Sequence, residues 1–211
     1  MTLRIAIADD HAIVREGLKR ILTEQKDLEI VGEAANGFEA VELVRTAKPD
    51  IILMDISMPE KDGLDATREI IGMKCATKVL ILTMHSDEHY ALRTMRAGAT
   101  GYVVKGSPAE ELIKAIHIVS GGKRFLPPKL ESTFAERYLT PEANYSPVES
   151  LSDREFQVLC LLATGLANRE IAEKLFISVK TVDSHRSRIL EKLGLRNNSD
   201  LTRFAIDNKL V

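Results

Sequence analysis

The chain has 211 residues, with 29 Lys plus Arg against 31 Asp plus Glu and 45% hydrophobic residues. That is ordinary globular composition at a length of one or two domains. No run approaches the ~18 apolar residues of a membrane span, and Met1 to Ile5 lead into an alternating strand rather than a signal peptide, so a cytoplasmic protein with no membrane association is expected.

The two cysteines, Cys75 and Cys160, are far apart and lack CxxC or metal-ligand spacing. Both read as small buried apolar residues, not a disulfide or a zinc site. The net charge of −2 conceals an asymmetry: residues 1–125 carry 17 basic and 19 acidic side chains, whereas residues 151–211 carry 10 and 8. Only the last segment is basic, and by too little to imply a polyanion partner on charge alone.

In chain order, Leu3 to Ala8, Leu28 to Val31, Ile51 to Met54, Val79 to Leu82 and Tyr102 to Val104 are short, apolar and rich in β-branched residues. They have too little polar alternation for a face in water and read as five buried parallel strands. Helical spacing fills the gaps: Val14, Leu18, Ile21 and Leu22; Ala40, Val41 and Val44; Ala66 and Ile70; Ala91, Leu92 and Met95; Leu112, Ile113 and Ile116. Ser107 offers an N-cap before Pro108 with Glu110 in a capping box, and Gly121-Gly122 stops the last of these helices. The prediction is an α/β doubly wound domain with a five-stranded parallel sheet over residues 1–124.

Residues 125–150 hold Pro127-Pro128, Thr140-Pro141 and Ser146-Pro147 and read as a linker, with room for a short helix around Phe134 to Tyr138. Residues 151–211 predict a small all-α domain of four helices. Ser152 with Glu155 forms a capping box on the first, Asn168 caps the second, Ser178 the third, which runs to Leu193 before Gly194, and Ser199 opens the last.

Ligands of a doubly wound sheet sit at the carboxyl ends of its strands. Asp9 and Asp10 close the first strand, Asp55 the third, Thr83 the fourth and Lys105 the fifth. Three crowded carboxylates repel unless a cation bridges them, and an oxygen-rich, partly hydrated site suits Mg2+. Asp55 is then placed to attack phosphorus as a carboxylate nucleophile, with Lys105 and the Thr83 hydroxyl available to the developing charge. A strand-end Asp is often only a turn residue, but five polar residues at the same ends of four strands exceed that explanation.

The segments Asp9-Asp10, Leu53 to Gly63, Leu82-Thr83 and Gly101 to Lys105 resemble the receiver domain of two-component response regulators, over residues 1 to about 120. The resemblance implies the flavodoxin-like fold and Asp55 as phosphoacceptor for a sensor histidine kinase. It also implies a Mg2+ site of Asp10, which binds directly, Asp9 through water, Asp55 and the Ser57 backbone carbonyl, and Thr83 with Tyr102 as a switch pair whose ring turns inward on activation. Ser57 and His85 occupy positions that tune phosphoryl lifetime in that family; His85 also reads as a solvated loop residue. Many receivers have Pro after the lysine where this chain has Gly106, so no cis peptide is expected there.

In the last domain, Ile171, Ala172 and Leu175 are spaced to pack against Val182, Ile189 and Leu193 as a helix-turn-helix. The opposite face of the second helix of that motif carries Lys180, Asp183, Ser184, Ser187, Arg188 and Glu191, with Arg186 and Lys192 at its flanks. From periodicity alone an amphipathic helix with mixed charges reads more readily as a solvated face than as a DNA-binding one. The segments Leu151 to Glu155, Gly165 to Ala172, Ser178 to His185 and Lys192 to Gly194 resemble the LuxR-type helix-turn-helix, which makes the whole chain similar to the NarL/FixJ family. That resemblance implies binding of double-stranded DNA, with Lys180, Thr181, His185, Arg186, Arg188 and Lys192 as candidate phosphate contacts and Asp183, Ser184 and Ser187 facing bases. His185 reads alternatively as a partly buried residue near Val182. The family further implies a homodimer when phosphorylated; the final helix, with Leu201, Phe204, Ala205 and Leu210, is either its surface or part of the domain core. Two other functions fit part of the pattern: a Mg-dependent phosphohydrolase, which lacks its expected second acid because Ser57 stands there, and a phosphorylation-controlled protein-binding adaptor.

Overall fold

The computed structural model describes residues 2–84, 88–128, 130–131, 147–208 and 210. It divides the chain into two compact units, residues 1–133 and 134–211. The helix predicted around Phe134 to Tyr138, and His85, lie outside the described residues.

In the first unit the five predicted strands form β1 (Leu3–Ala8), β2 (Leu28–Ala34), β3 (Ile51–Met54), β4 (Lys78–Thr83) and β5 (Gly101–Val104), all parallel, in the order β2-β1-β3-β4-β5. The central strands are hydrophobic at nearly every position because both faces are covered. Four helices make the crossovers, α1 (Ala12–Thr23), α2 (Gly37–Ala47), α3 (Gly63–Gly72) and α4 (Glu88–Arg96), and α5 (Ala109–Ser120) follows the last strand. Ile5, Ile7, Ile51, Leu53 and Leu80 of the sheet pack with Leu18, Leu22, Ala115, Ile116 and Val119 into one core, all at most 7% exposed. Burying a side chain of this size contributes roughly 1.5–3 kcal/mol, so this cluster is what holds the strand ends in register.

Several local expectations are corrected. The cap of α5 is Pro108 in extended backbone, with no side-chain cap bond, so the helix begins one residue later than Ser107 capping requires. Cys75 is exposed, because it falls in the turn beyond α3 that Lys74 enters at φ 53°; Cys160 is buried as expected. The peptide after Lys105 is trans, as are all others among the described residues.

The second unit holds a 3-10 turn (Pro147–Ser150) and α6 (Asp153–Ala163), α7 (Asn168–Lys174), α8 (Val179–Leu193) and α9 (Asn198–Asp207). Phe156, Leu159, Ile171, Val182, Ile189, Leu201 and Ala205 form its core, none more than 1% exposed. Leu201, Ala205 and Leu210 therefore serve the domain core, the second of the two readings of the final helix. Val148 is also buried, so the end of the 125–150 stretch folds onto this unit. Two caps differ from expectation. α7 is capped at Ala167, whose N–H donates to Glu170 Oε2 at 2.7 Å, and Asn168 is its first residue. α9 is capped by Asn197, whose side chain accepts from the Asp200 N–H at 3.0 Å, ahead of Ser199.

The Ser152 capping box forms as predicted and gains a distant partner. Glu155 Oε2 accepts from the Ser152 N–H at 2.7 Å and from Lys192 Nζ at 2.7 Å, and the same ammonium reaches the Ser150 carbonyl at 3.1 Å. Burial alone pushes the Glu155 carboxyl up, but the Lys192 and Ser152 bonds outweigh it and the net shift is downward. Its contribution is therefore present above the unfolded value of about 4.3 and is lost as pH falls through the lower folded value. Glu155→Ala is expected to cost about 2 kcal/mol at neutral pH by leaving both donors unmatched, read as faster hydrogen exchange in α6 and α8. The gap between the variant and the parent should close on acidification; a gap that persists below pH 3 contradicts the assignment.

Candidate functional site

The site lies at the carboxyl edge of the sheet. Asp9 follows β1, Asp55 follows β3, Thr83 ends β4 and Lys105 follows β5, so parallel register alone brings them together. Asp9, Asp55 and Thr83 are buried, at 2%, 3% and 0% exposure. Lys105 Nζ sits between the two carboxylates, 2.7 Å from Asp9 Oδ2 and 2.7 Å from Asp55 Oδ2. Its position is set by its own backbone, whose N–H donates to the Thr83 carbonyl at 2.8 Å. The second Asp55 oxygen, Oδ1, accepts from the Ile56 N–H at 2.8 Å.

The electrostatics follow from burial and pairing. Burial pushes the Asp55 carboxyl above the ordinary aspartate value, the Lys105 charge and hydrogen bond oppose this, and Asp9 adds to it; the net direction is upward. For Lys105 burial acts downward, but its bonds to Asp55 and Asp9 dominate and the ammonium is held more firmly than usual. The pocket thus keeps a protonated lysine against two desolvated carboxylates.

Asp10, Asp9, His11 and Asp55 each present a ligand atom, all within 4.8 Å of one another. Among the described residues Asp10 Oδ1 is buried and receives no hydrogen bond, with His11 Nδ1 2.8 Å away. A buried carboxylate oxygen left without a donor beside two further carboxylates is a site that fits a hard divalent cation. His11 was not anticipated: its N–H donates to Asp9 Oδ1 at 2.9 Å, and the only signal for it was adjacency to the acid pair. Ser57 is exposed in the loop after Asp55, and Tyr102 on β5 is wholly buried, its ring inward.

The predicted face of α8 divides into two groups. Lys180, Asp183, Ser184, Ser187 and Arg188 are exposed together. Thr181 is half-buried at the helix start, its hydroxyl 2.8 Å from that of the capping Ser178. Arg186 Nε donates to Asn198 Oδ1 at 2.6 Å, tying α8 to the start of α9, and Lys192 is engaged by Glu155. His185 is half-buried, and among the described residues its Nδ1 has no hydrogen-bond partner; desolvation, then the nearby Arg154 charge, pulls its pKa below the usual histidine value.

An acidic pocket on a 2-1-3-4-5 parallel sheet, followed in the chain by a helix-turn-helix, defines a two-part signalling protein. Residues 5–117 match the response regulator receiver domain and residues 149–205 match the bacterial regulatory proteins of the luxR family. The chain belongs to the NarL/FixJ family of response regulators, two-component transcription regulators with a receiver and a LuxR-type DNA-binding domain. Among particular proteins it is similar to the oxygen regulatory protein NreC of Staphylococcus aureus (strain bovine RF122 / ET3-1), at 45% identity over 99% of either chain. Among solved structures it resembles the response regulator ChrA of a heme-sensing two-component system, at 34% identity over 100% of this chain and 99% of that one, with a TM-score of 0.55. It also resembles RcsB from Salmonella enterica serovar Typhimurium bound to promoter rprA in the presence of a phosphomimetic, at 26% identity over 97% and 98% of the chains, with a TM-score of 0.65. Among the described residues no helix is long and apolar enough to cross a membrane.

Proposed function

We propose that in the cytoplasm Asp55 accepts a phosphoryl group from a sensor histidine kinase, and that this modification favours a homodimer whose α8 helices bind double-stranded DNA. The observation that carries the reading is the buried Asp55 carboxylate held between Lys105 and the Ile56 N–H, beside the donorless oxygen of Asp10. In the step itself an Asp55 oxygen bonds to phosphorus as the P–N bond of the kinase phosphohistidine breaks; the electron pair leaves with the imidazole nitrogen, which takes a proton from solvent. Lys105 turns from Asp55 toward the charge on the phosphoryl oxygens, and the Thr83 hydroxyl donates to one of them. Mg2+ would be held by Asp10, Asp55 and the Ser57 carbonyl, with Asp9 through water, and when bound supplies positive charge to the phosphoryl oxygens. The added charge of about −1.5 to −2 shifts the Thr83 and Tyr102 pair and biases the receiver toward association.

On α8, Lys180 and Arg188 are placed for phosphates and Asp183, Ser184 and Ser187 for base edges, while His185 and Thr181 approach the backbone from the half-buried flank. Arg186 and Lys192 contribute to that surface only by leaving their partners Asn198 and Glu155. One recognition helix offers few contacts, so two-fold pairing on a near-palindromic site is the economical arrangement. The RcsB complex with a promoter supports this use of the helical domain.

The experiment is labelling with acetyl phosphate or phosphoramidate and Mg2+. The parent chain should retain one phosphoryl group per chain and Asp55→Asn none; labelling of the variant refutes the assignment, and rapid multiple turnover by the parent identifies a phosphohydrolase instead. A gel shift on a randomised duplex pool, with and without phosphodonor, completes it. Enrichment of a sequence by the phosphorylated chain is expected, whereas retention of no duplex points to a protein-binding adaptor.

A further inference from the structure

Asp183 is out of character with its surroundings, a carboxylate on the exposed face of α8 that also presents Lys180 and Arg188. Among the described residues it pairs with neither cation. Its Oδ1 instead accepts a hydrogen bond from Asn168 Nδ2 at 2.5 Å, from the first residue of α7, fifteen positions earlier in the chain. An ion pair on its own helix would have cancelled the charge and turned the carboxylate along the helix surface. A neutral amide fixes the direction of the group and leaves its charge intact, with Oδ2 free of any partner among the described residues. An acceptor held this way in a field of phosphates is unfavourable unless it meets a donor.

We infer that Asn168 aims the Asp183 carboxylate at a cytosine amino group, so that α7 takes part in the sequence readout of α8. This rests on the reading of α8 as the DNA-binding helix. The choice of base follows from chemistry. In the major groove the amino groups are cytosine N4 and adenine N6. Adenine N6 lies beside the N7 lone pair, which repels a carboxylate, whereas cytosine N4 lies beside a C–H. Guanine and thymine present acceptors at the same place and are rejected. Asn168 is therefore a positioning residue: it touches no base in this scheme but selects the rotamer that does. The signal was absent from periodicity, because Asn168 reads as an ordinary cap residue.

The test is selection of duplexes from a randomised pool by the full chain treated with acetyl phosphate and Mg2+, for the parent, Asp183→Ala, Asn168→Ala and the double variant. The parent should prefer cytosine at one position by roughly tenfold, and each single variant should reduce that ratio severalfold at the same position and nowhere else. The double variant should be no worse than Asp183→Ala alone, since one substitution acts through the other. Melting temperatures within a few degrees of the parent exclude a folding defect. Undiminished cytosine preference in Asn168→Ala overturns the inference. So does weakened binding to every sequence with a salt slope shallower by about one, the mark of a phosphate contact. If the parent takes up a phosphoryl group yet enriches no sequence, the DNA reading falls and the inference with it.

Discussion

Lys105→Met should destabilise the first unit by about 3 kcal/mol and slow phosphoryl uptake by about a hundredfold. Among the described residues Nζ is the one cation lying 2.7 Å from both Asp9 and Asp55, and the three side chains are at most 8% exposed. Removing one member of a buried ion pair leaves an uncompensated charge and costs about 3–5 kcal/mol; here it leaves two carboxylates facing each other. The lower end of that range applies because Asp55 keeps the Ile56 N–H and Asp9 keeps the His11 N–H. A double-mutant cycle separates the ion cluster from simple loss of packing. Asp9→Asn should destabilise the parent, which loses a partner of Lys105, yet restore part of the loss in Lys105→Met, where it removes a repulsion. Denaturant midpoints without divalent cation measure both, and additive effects of the two substitutions rule the electrostatic account out. The kinetic effect has a separate origin: in the proposed reaction the ammonium, beside the Thr83 hydroxyl, meets the phosphoryl oxygens as charge develops, and removing such a donor typically costs about 10²–10³ in rate.

The strands, their direction and the residues at their ends were legible because burial on both faces leaves a direct mark on composition. Leu3–Ala8 and Ile51–Met54 are strands at the residues predicted, and the meeting of Asp9, Asp55, Thr83 and Lys105 follows from parallel order without any side-chain detail. What composition does not record is which partner a polar group chooses. Lys192 reads as a DNA-facing lysine from its place on α8, yet it pairs with a carboxylate 37 residues earlier. Ser107, Asn168 and Ser199 all have the chemistry of a cap, but backbone dihedrals place the caps at Pro108, Ala167 and Asn197, within the one or two residues over which helix ends are set by the preceding turn. Cys75 illustrates the same limit, since a small apolar residue just past a helix end goes wherever the turn points it. His11 stood beside the acid pair in plain view, but only the folded chain brings its ring nitrogen within reach of two carboxylates.

Gly63→Ala is expected to be the most damaging single-methyl change in the receiver. A Cβ at this position would lie 1.8 Å from the Asp55 carbonyl oxygen, 2.8 Å from its carbonyl carbon and 3.1 Å from Ile56 Cα. All three are backbone atoms, so no flexible side chain can yield; either α3 or the end of β3 must move. Both are fastened. The Gly63 N–H donates to the Ile56 carbonyl at 2.9 Å, the Thr67 hydroxyl donates to the Gly63 carbonyl at 2.6 Å, and the Asp55 N–H donates to the Ala8 carbonyl at 2.8 Å. Overpacking a close-packed interior costs typically about 1–3 kcal/mol, and a clash with fixed backbone belongs at the top of that range. Gly17→Ala is the matched control: it lies inside α1 with nothing within 4 Å of its Cβ, and should stabilise by about 0.5–1 kcal/mol through helix propensity alone. Denaturant midpoints should therefore move in opposite directions, and a shared direction would refute the close approach of α3 to Asp55. Labelling then tells which element gave way. If β3 shifts, the Asp55 carboxylate leaves Lys105 and phosphoryl uptake falls with stability; if α3 shifts, uptake survives at a rate near that of the parent while the midpoint drops. Because Asp55 is tied to the sheet by its own N–H and to Lys105 by its side chain, the second outcome is the one expected.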